Sequence, residues 1–218
     1  MCGIAGFSNF ELDFLDDREK WNKIANDMCS KLQLRGPDSN GVYLNNKVVF
    51  SHTRLSIIDL ESGQQPIVRK FNNNKYSIIY NGEIYNTYEL REDLIKKGYN
   101  FFTTTDTEVI LVGYVHYGVE FVKKLNGIFA FAIWDDNLKK LFLFRDRLGI
   151  KPLFYTIKNN NLVFGSEIKV LTCFPGIELT LDMDGLREIF GIGPARTAGN
   201  GVFKDINEIL PGHYAVYS

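Results

Sequence analysis

The second residue, Cys2, is the first position with chemistry in it. If Met1 is removed, which the small size of the next residue favours, one residue carries both a thiol and a free α-amine. An α-amine has an ordinary pKa of about 7.7–8.0, so roughly one in seven is neutral at pH 7 and able to accept a proton beside a nucleophile. The alternative is a buried, inert cysteine that opens a strand. A second candidate is Tyr80-Asn81-Gly82-Glu83. Its Asn amide and the unshielded Gly N–H could pair as donors to a developing oxyanion, or Asn-Gly could be an ordinary turn after a strand. Arg54 closes an apolar, strand-like run that leads into Leu55, Ser56, Ile57 and Ile58. Its fork suits either a rim ion pair or a bidentate grip on a carboxylate. Asp106, between Thr105 and Thr107 just before a helical pattern, is a helix N-cap or a counter-charge for an ammonium group.

Other features are weaker. Arg35-Gly36-Pro37-Asp38-Ser39-Asn40-Gly41 has turn chemistry. The segment from Arg145 to Pro152 is basic but balanced by acid, and reads as a structured turn rather than a phosphate site. Asp182-Met183-Asp184-Gly185 lacks the downstream ligands of a calcium loop. His52, His116 and His213 lie far apart, and Cys2, Cys29 and Cys173 are too widely spread for a zinc site or a disulfide scaffold, so no metal is expected.

The elements that must position these residues follow from periodicity. Trp21, Ile24, Ala25, Met28 and Leu32 recur at helical spacing and predict a helix from about 17 to 33. Strands are predicted at 4–8, 41–44, 48–55, 76–80, 128–134, 140–144, 152–157, 162–164 and 213–217. A short helix should follow Thr87 and stop at Gly98, and a buried one should run from Thr107 to about Tyr117. Ser166 and Asp182 are each placed to cap a further helix. The pattern indicates an α+β domain built on antiparallel sheets.

Composition sets the outer bounds. In 218 residues, 25 Lys and Arg meet 26 Asp and Glu, so no bulk field favours nucleic acid or an anionic membrane. No apolar run approaches the roughly 20 residues needed to span a bilayer. Glu11, Asp13, Asp16 and Asp17 argue against a signal peptide, and a reducing cytoplasm is the expected location.

Taken together, the motifs resemble the glutaminase domain of glutamine-dependent asparagine synthetases, a class II glutamine amidotransferase of the N-terminal nucleophile hydrolase type. The matching words begin with Cys2-Gly3-Ile4-Ala5-Gly6-Phe7 and continue with RGPDSNG at 35–41, HTRLSI at 52–57 and GQQPI at 63–67. They run on through YNGEIYN at 80–86, TDTEVIL at 105–111, LNGIFAFAIWD at 125–135, RDRLGIKPLFY at 145–155 and FGSEIK at 164–169. The resemblance implies a four-layer α-β-β-α sandwich. It implies that Cys2 is the nucleophile with its own amine as base, and that Asn81 and Gly82 form the oxyanion hole. It further implies that Arg54 binds the carboxylate of L-glutamine, that Asp106 binds its ammonium, and that Leu55, Ser56, Ile57, Ile58 and Glu83 line the same pocket. The family's second half uses ATP and magnesium through a glycine- and serine-rich loop that this sequence lacks, so no cofactor is expected in this domain. Residues 2–191 are expected to form the glutaminase domain, and 192–218 a linker and the start of an absent C-terminal synthetase domain. A homodimer is left open. The alternatives are the ammonia-generating domain of another class II amidotransferase, or a non-catalytic relative.

Overall fold

Alternation of side chains along each strand sorts the strands into layers. In β1 (Gly3–Ser8), Ile4 enters one core while Ala5 and Phe7 enter another. In β3 (Val48–Arg54), Val48 and Phe50 part from Val49 in the same way. In β5 (Asn74–Ile84), Ile78 and Tyr80 face away from Ile79. Strands apolar on both faces must lie inside a layered molecule.

The computed structural model, which describes residues 1–56, 63–193 and 197–218, has two such sheets. The first runs in the order β10 (Asn207–Glu208), β8 (Phe154–Lys158), β9 (Asn161–Gly165), β1, β3 and β2 (Ser39–Leu44). The second runs β11 (Tyr214–Tyr217), β7 (Lys140–Arg145), β6 (Gly127–Asp135), β5 and β4 (Ile67–Phe71). Neighbours within each sheet are antiparallel. The inner faces meet over Ile4, Phe50, Ile79, Trp134, Leu143 and Phe164. Helix α1 (Arg18–Leu32) buries Trp21, Ile24, Ala25, Met28 and Leu32 on the outside of the first sheet, and Asp17 caps its start by accepting from the Lys20 N–H. Helices α2 (Thr87–Lys96) and α3 (Asp106–Tyr117) cover the second sheet. The result is the four-layer α-β-β-α sandwich. Among the described residues no helix is long and apolar enough to cross a membrane.

Three local expectations change. Asn81-Gly82 is not a turn, because β5 runs unbroken from Asn74 to Ile84 and pairs Asn81 with Ala130 and Gly82 with Phe129 of β6. Strand β4 carries no prediction in the sequence, since only Ile67, Val68 and Phe71 are apolar and it lies at a sheet edge. Ser166 caps no helix; a short 3-10 segment, Ile168–Cys173, follows instead without a side-chain cap. Asp182 does cap α4 (Met183–Gly191), accepting from the Gly185 N–H.

The described part of 192–218 is woven into both sheets. Asn207 and Glu208 pair with Tyr155 and Phe154, and β11 pairs along β7 from Tyr214 opposite Phe144 to Tyr217 opposite Leu141. Ile206 and Ile209 are buried. A line drawn at residue 191 therefore does not divide this fold.

Candidate active site

The position of Cys2 is set by what holds the start of β1. The Ile4 N–H donates to Ser166 Oγ at 3.0 Å, and the Ser166 N–H donates back to the Ile4 carbonyl at 2.8 Å. Ser166 thus carries the β9–β1 ladder one residue past its end. On the other side, Arg35 Nε donates to the Cys2 carbonyl at 3.0 Å while its Nη1 pairs with Glu167 at 3.2 Å. The half-buried thiol of Cys2 donates to the Leu55 carbonyl at 3.7 Å. Leu55 follows the last residue of β3, and β3 pairs directly with β1, so the Gly3–Thr53 register brings the two segments together.

Asn81 shares the face of Ile79 on β5, the face turned toward the first sheet. Its side chain is buried, and its Nδ2 has no hydrogen-bond partner among the described residues. A buried amide donor left unpaired costs about 1–3 kcal/mol, so such a group marks either strain or a site made for a ligand. At Gly82 a Cβ would collide with the Ile128 carbonyl of β6, so packing alone demands glycine at this point.

Arg54, 4% exposed, ends β3 on the cleft. The loop from Arg35 to Ser39 fixes it: the Asp38 N–H donates to the Arg54 carbonyl at 3.0 Å, and a Cβ on Gly36 would strike the Thr53–Arg54 peptide. Asp106 opens α3 but does not cap it; Thr105 does, accepting from the Glu108 N–H. The Asp106 carboxylate accepts instead from Tyr80 Oη at 2.6 Å, from the Ile84 N–H at 3.3 Å and from the Thr107 N–H at 2.9 Å. Burial raises its pKa, against the pull of those donors. Burial also raises the pKa of Glu83, with the neighbouring Asp106 adding to the rise. The Ser56 N–H donates to Asp38 Oδ2 at 2.7 Å. Ile57 and Ile58 lie outside the described residues.

Cys2, Arg54, Leu55, Asn81, Gly82, Glu83 and Asp106 line one cleft of about 140 Å³. Gln65, Thr107 and Lys151, which carry no signal as single residues, line it too. Gln65 accepts from the Tyr80 N–H at 2.7 Å and donates to Thr107 Oγ1 at 3.2 Å, joining β5 to α3 from the segment just before β4. Met1 also lines the cleft, so the unprocessed chain sets its own first side chain against the thiol's surroundings. One cleft thus gathers a thiol, a buried amide, an arginine and a carboxylate. That suits a small zwitterion with a reactive carbonyl.

Comparison with known proteins agrees with this chemistry. Residues 1–218 match the model of a family described as glutamine amidotransferase domain. The chain is 44% identical over 218 residues to asparagine synthetase [glutamine-hydrolyzing] 3 of Bacillus subtilis, covering 100% of this chain and 35% of that protein. It is 35% identical over 228 residues to amidase chry2 of Gibberella zeae, covering 99% of this chain and 32% of that protein. The chain thus spans about a third of the length of the curated relatives it matches. In fold it is similar to glutamine phosphoribosylpyrophosphate amidotransferase of Bacillus subtilis, with a TM-score of 0.66 and 20% identity over 79% of this chain and 43% of that one.

Proposed function

Because the chain belongs to the glutamine amidotransferase domain family, we propose that it hydrolyses the side-chain amide of L-glutamine, with Cys2 as nucleophile once Met1 is gone. Arg54 takes the α-carboxylate and Asp106 the α-ammonium, which leaves the side-chain amide directed at the thiol. The Cys2 amine accepts the thiol proton as sulfur attacks the amide carbon. The negative oxygen of the tetrahedral intermediate is met by Asn81 Nδ2 and the Gly82 N–H. Collapse breaks the C–N bond, and the proton held by the amine leaves on ammonia. Water then attacks the thioester, releasing glutamate and restoring the thiol.

The observation that carries this reading is the Asn81 amide, buried and unpaired on the same cleft as Cys2. A donor held without a partner needs no rearrangement when a negative oxygen forms beside it, which is the condition for transition-state stabilisation. The test is glutamate release from glutamine by chain whose loss of Met1 has been verified by intact mass, set against Cys2→Ala. Release by the first and none by the second is expected; equal rates in both would leave only a binding role.

In the longer protein we propose that the ammonia is passed to an ATP- and magnesium-dependent domain that makes asparagine. The 44% identity to a glutamine-hydrolysing asparagine synthetase supports that acceptor. A cytoplasmic setting accords with a catalytic thiol that must stay reduced.

A further inference from the structure

Lys151 stands in the cleft without a place in the reaction as written above. It is buried, 7% exposed, and follows the segment from Asp146 to Ile150 that links β7 to β8. That segment is rigidly tied. The Lys151 N–H donates to Asp146 Oδ2 at 2.9 Å, and the Lys151 carbonyl accepts from Arg145 Nε at 2.9 Å. Asp146 Oδ1 accepts from the N–H groups of Leu148 and Ile150 at 3.1 and 3.0 Å. The loop aims the lysine inward, and Nζ donates to the Met1 sulfur at 3.2 Å. Met1, Cys2 and Lys151 line the same cleft, and the sulfur is a few covalent bonds from the Cys2 nitrogen, so removal of Met1 opens the space between Nζ and the residue that becomes the new N-terminus.

We propose that Lys151 is a positioning residue for the base: its ammonium repels a proton from the Cys2 α-amine and so holds that amine neutral. A like charge at close range disfavours the protonated form of its neighbour, and burial strengthens the effect. Other charges stand around Cys2. Arg35, from the loop after α1, donates to the Cys2 carbonyl and Arg54, from β3, lines the cleft, and both act in the same sense as Lys151; Glu83 of β5 and Asp106 of α3, also on the cleft, act against it. Burial and the Arg35 guanidinium lower the Lys151 pKa, while the Cys2 thiol, Asp146 and Glu83 draw it upward.

The inference rests on the reading of Cys2 as nucleophile, and its test separates the two. The acid limb of the kcat/KM profile for glutamine reports the base of the free enzyme. In Lys151→Met the limb should move to higher pH by about half a unit or more, and Lys151→Arg should restore it. A lysine that merely filled space would lower the rate at every pH and leave the limb in place. A second measurement needs no catalysis: the pH dependence of labelling of the α-amine by an acylating reagent, in Cys2→Ala chain freed of Met1, with and without Lys151→Gln. The midpoint should rise when the cation is lost. An unmoved midpoint, or an unmoved acid limb, overturns the role of Lys151 whatever the amidase assay shows. A glutamine-hydrolysing rate that survives Cys2→Ala overturns the nucleophile and leaves the labelling result standing.

Discussion

Asn81 separates what a residue does for the fold from what it does for a substrate. Among the described residues its Nδ2 makes no hydrogen bond, so removing it breaks none of theirs. Asn81→Ala should lower kcat for glutamine by about 10²–10³ with little change in KM, the cost of one lost oxyanion donor. Its thermal midpoint should move by no more than about 2–4 °C, the shift that about 1 kcal/mol produces in a chain of this size. A collapse in stability without the kinetic loss would assign Asn81 to packing alone. Single residues were legible where chemistry and position coincided: a cysteine beside the N-terminus, an Asn-Gly pair, an arginine closing an apolar strand, an aspartate at a helix start. Gln65 and Lys151 were not, because each reaches the cleft through contacts with segments distant in sequence, such as Gln65 with Tyr80 and Thr107. The N-cap reading of Asp106 failed by one residue, since Thr105 offers an equally good cap and leaves the carboxylate to Tyr80.

At the scale of elements, the two sheets are joined by a polar contact as well as by apolar packing. His52 of β3, 1% exposed, lies against β5 with Nε2 at 3.2 Å from the Tyr80 carbonyl, and because that carbonyl only accepts, Nε2 carries the proton. Burial drives its pKa down to about 3, with the nearby Arg54 adding to the fall and the Tyr80 carbonyl opposing it. Between its ordinary value of 6.5 and about 3 the unfolded chain binds a proton there and the folded chain does not. Stability should therefore be full above pH 6.5 and fall by about 1.4 kcal/mol per pH unit below it. Glu83 and Asp106, whose pKa values are raised, contribute with the opposite sign and cancel when two variants are compared. In His52→Gln, whose amide can still donate to Tyr80, urea unfolding between pH 6.5 and 5 should be flatter by about one proton. Equal slopes would place the titration elsewhere. Helices and two-sided strands were readable from period 3.6 and period 2. The continuity of β5 through Asn81-Gly82 was not, because the turn preference of that pair is overridden by pairing with β6.

At the scale of the whole molecule, residues 207–218 pair into both sheets, and one ion pair adds to that tie. Arg145 ends β7, and its guanidinium donates to the carbonyls of Lys151, Ile209 and Gly149 at 2.9, 2.6 and 2.8 Å. It also meets Glu208 of β10 at 2.9 Å, with both side chains 5% exposed. Arg145 thus ties the loop that presents Lys151 to the C-terminal segment, beside the backbone bond from the Gly212 N–H to the Asp146 carbonyl at 2.8 Å. The sequence pattern could not reveal this, because β10 is two residues long and its value lies in partners about sixty positions away. A buried pair adds little when compared with an apolar substitute, but breaking it by removing one member strands a charge and costs about 3–5 kcal/mol. Glu208→Ala should therefore lower the urea midpoint by an amount equivalent to about 3 kcal/mol, with the m-value unchanged. Arg187→Ala, which breaks the exposed pair with Asp184, should leave the midpoint where it is. Were Glu208→Ala as silent as Arg187→Ala, β10 would be an ornament on the first sheet. The loop before β8 would then be held without it, by Arg145 through the carbonyls of Gly149 and Lys151 and by Asp146 through the N–H groups of Leu148, Ile150 and Lys151.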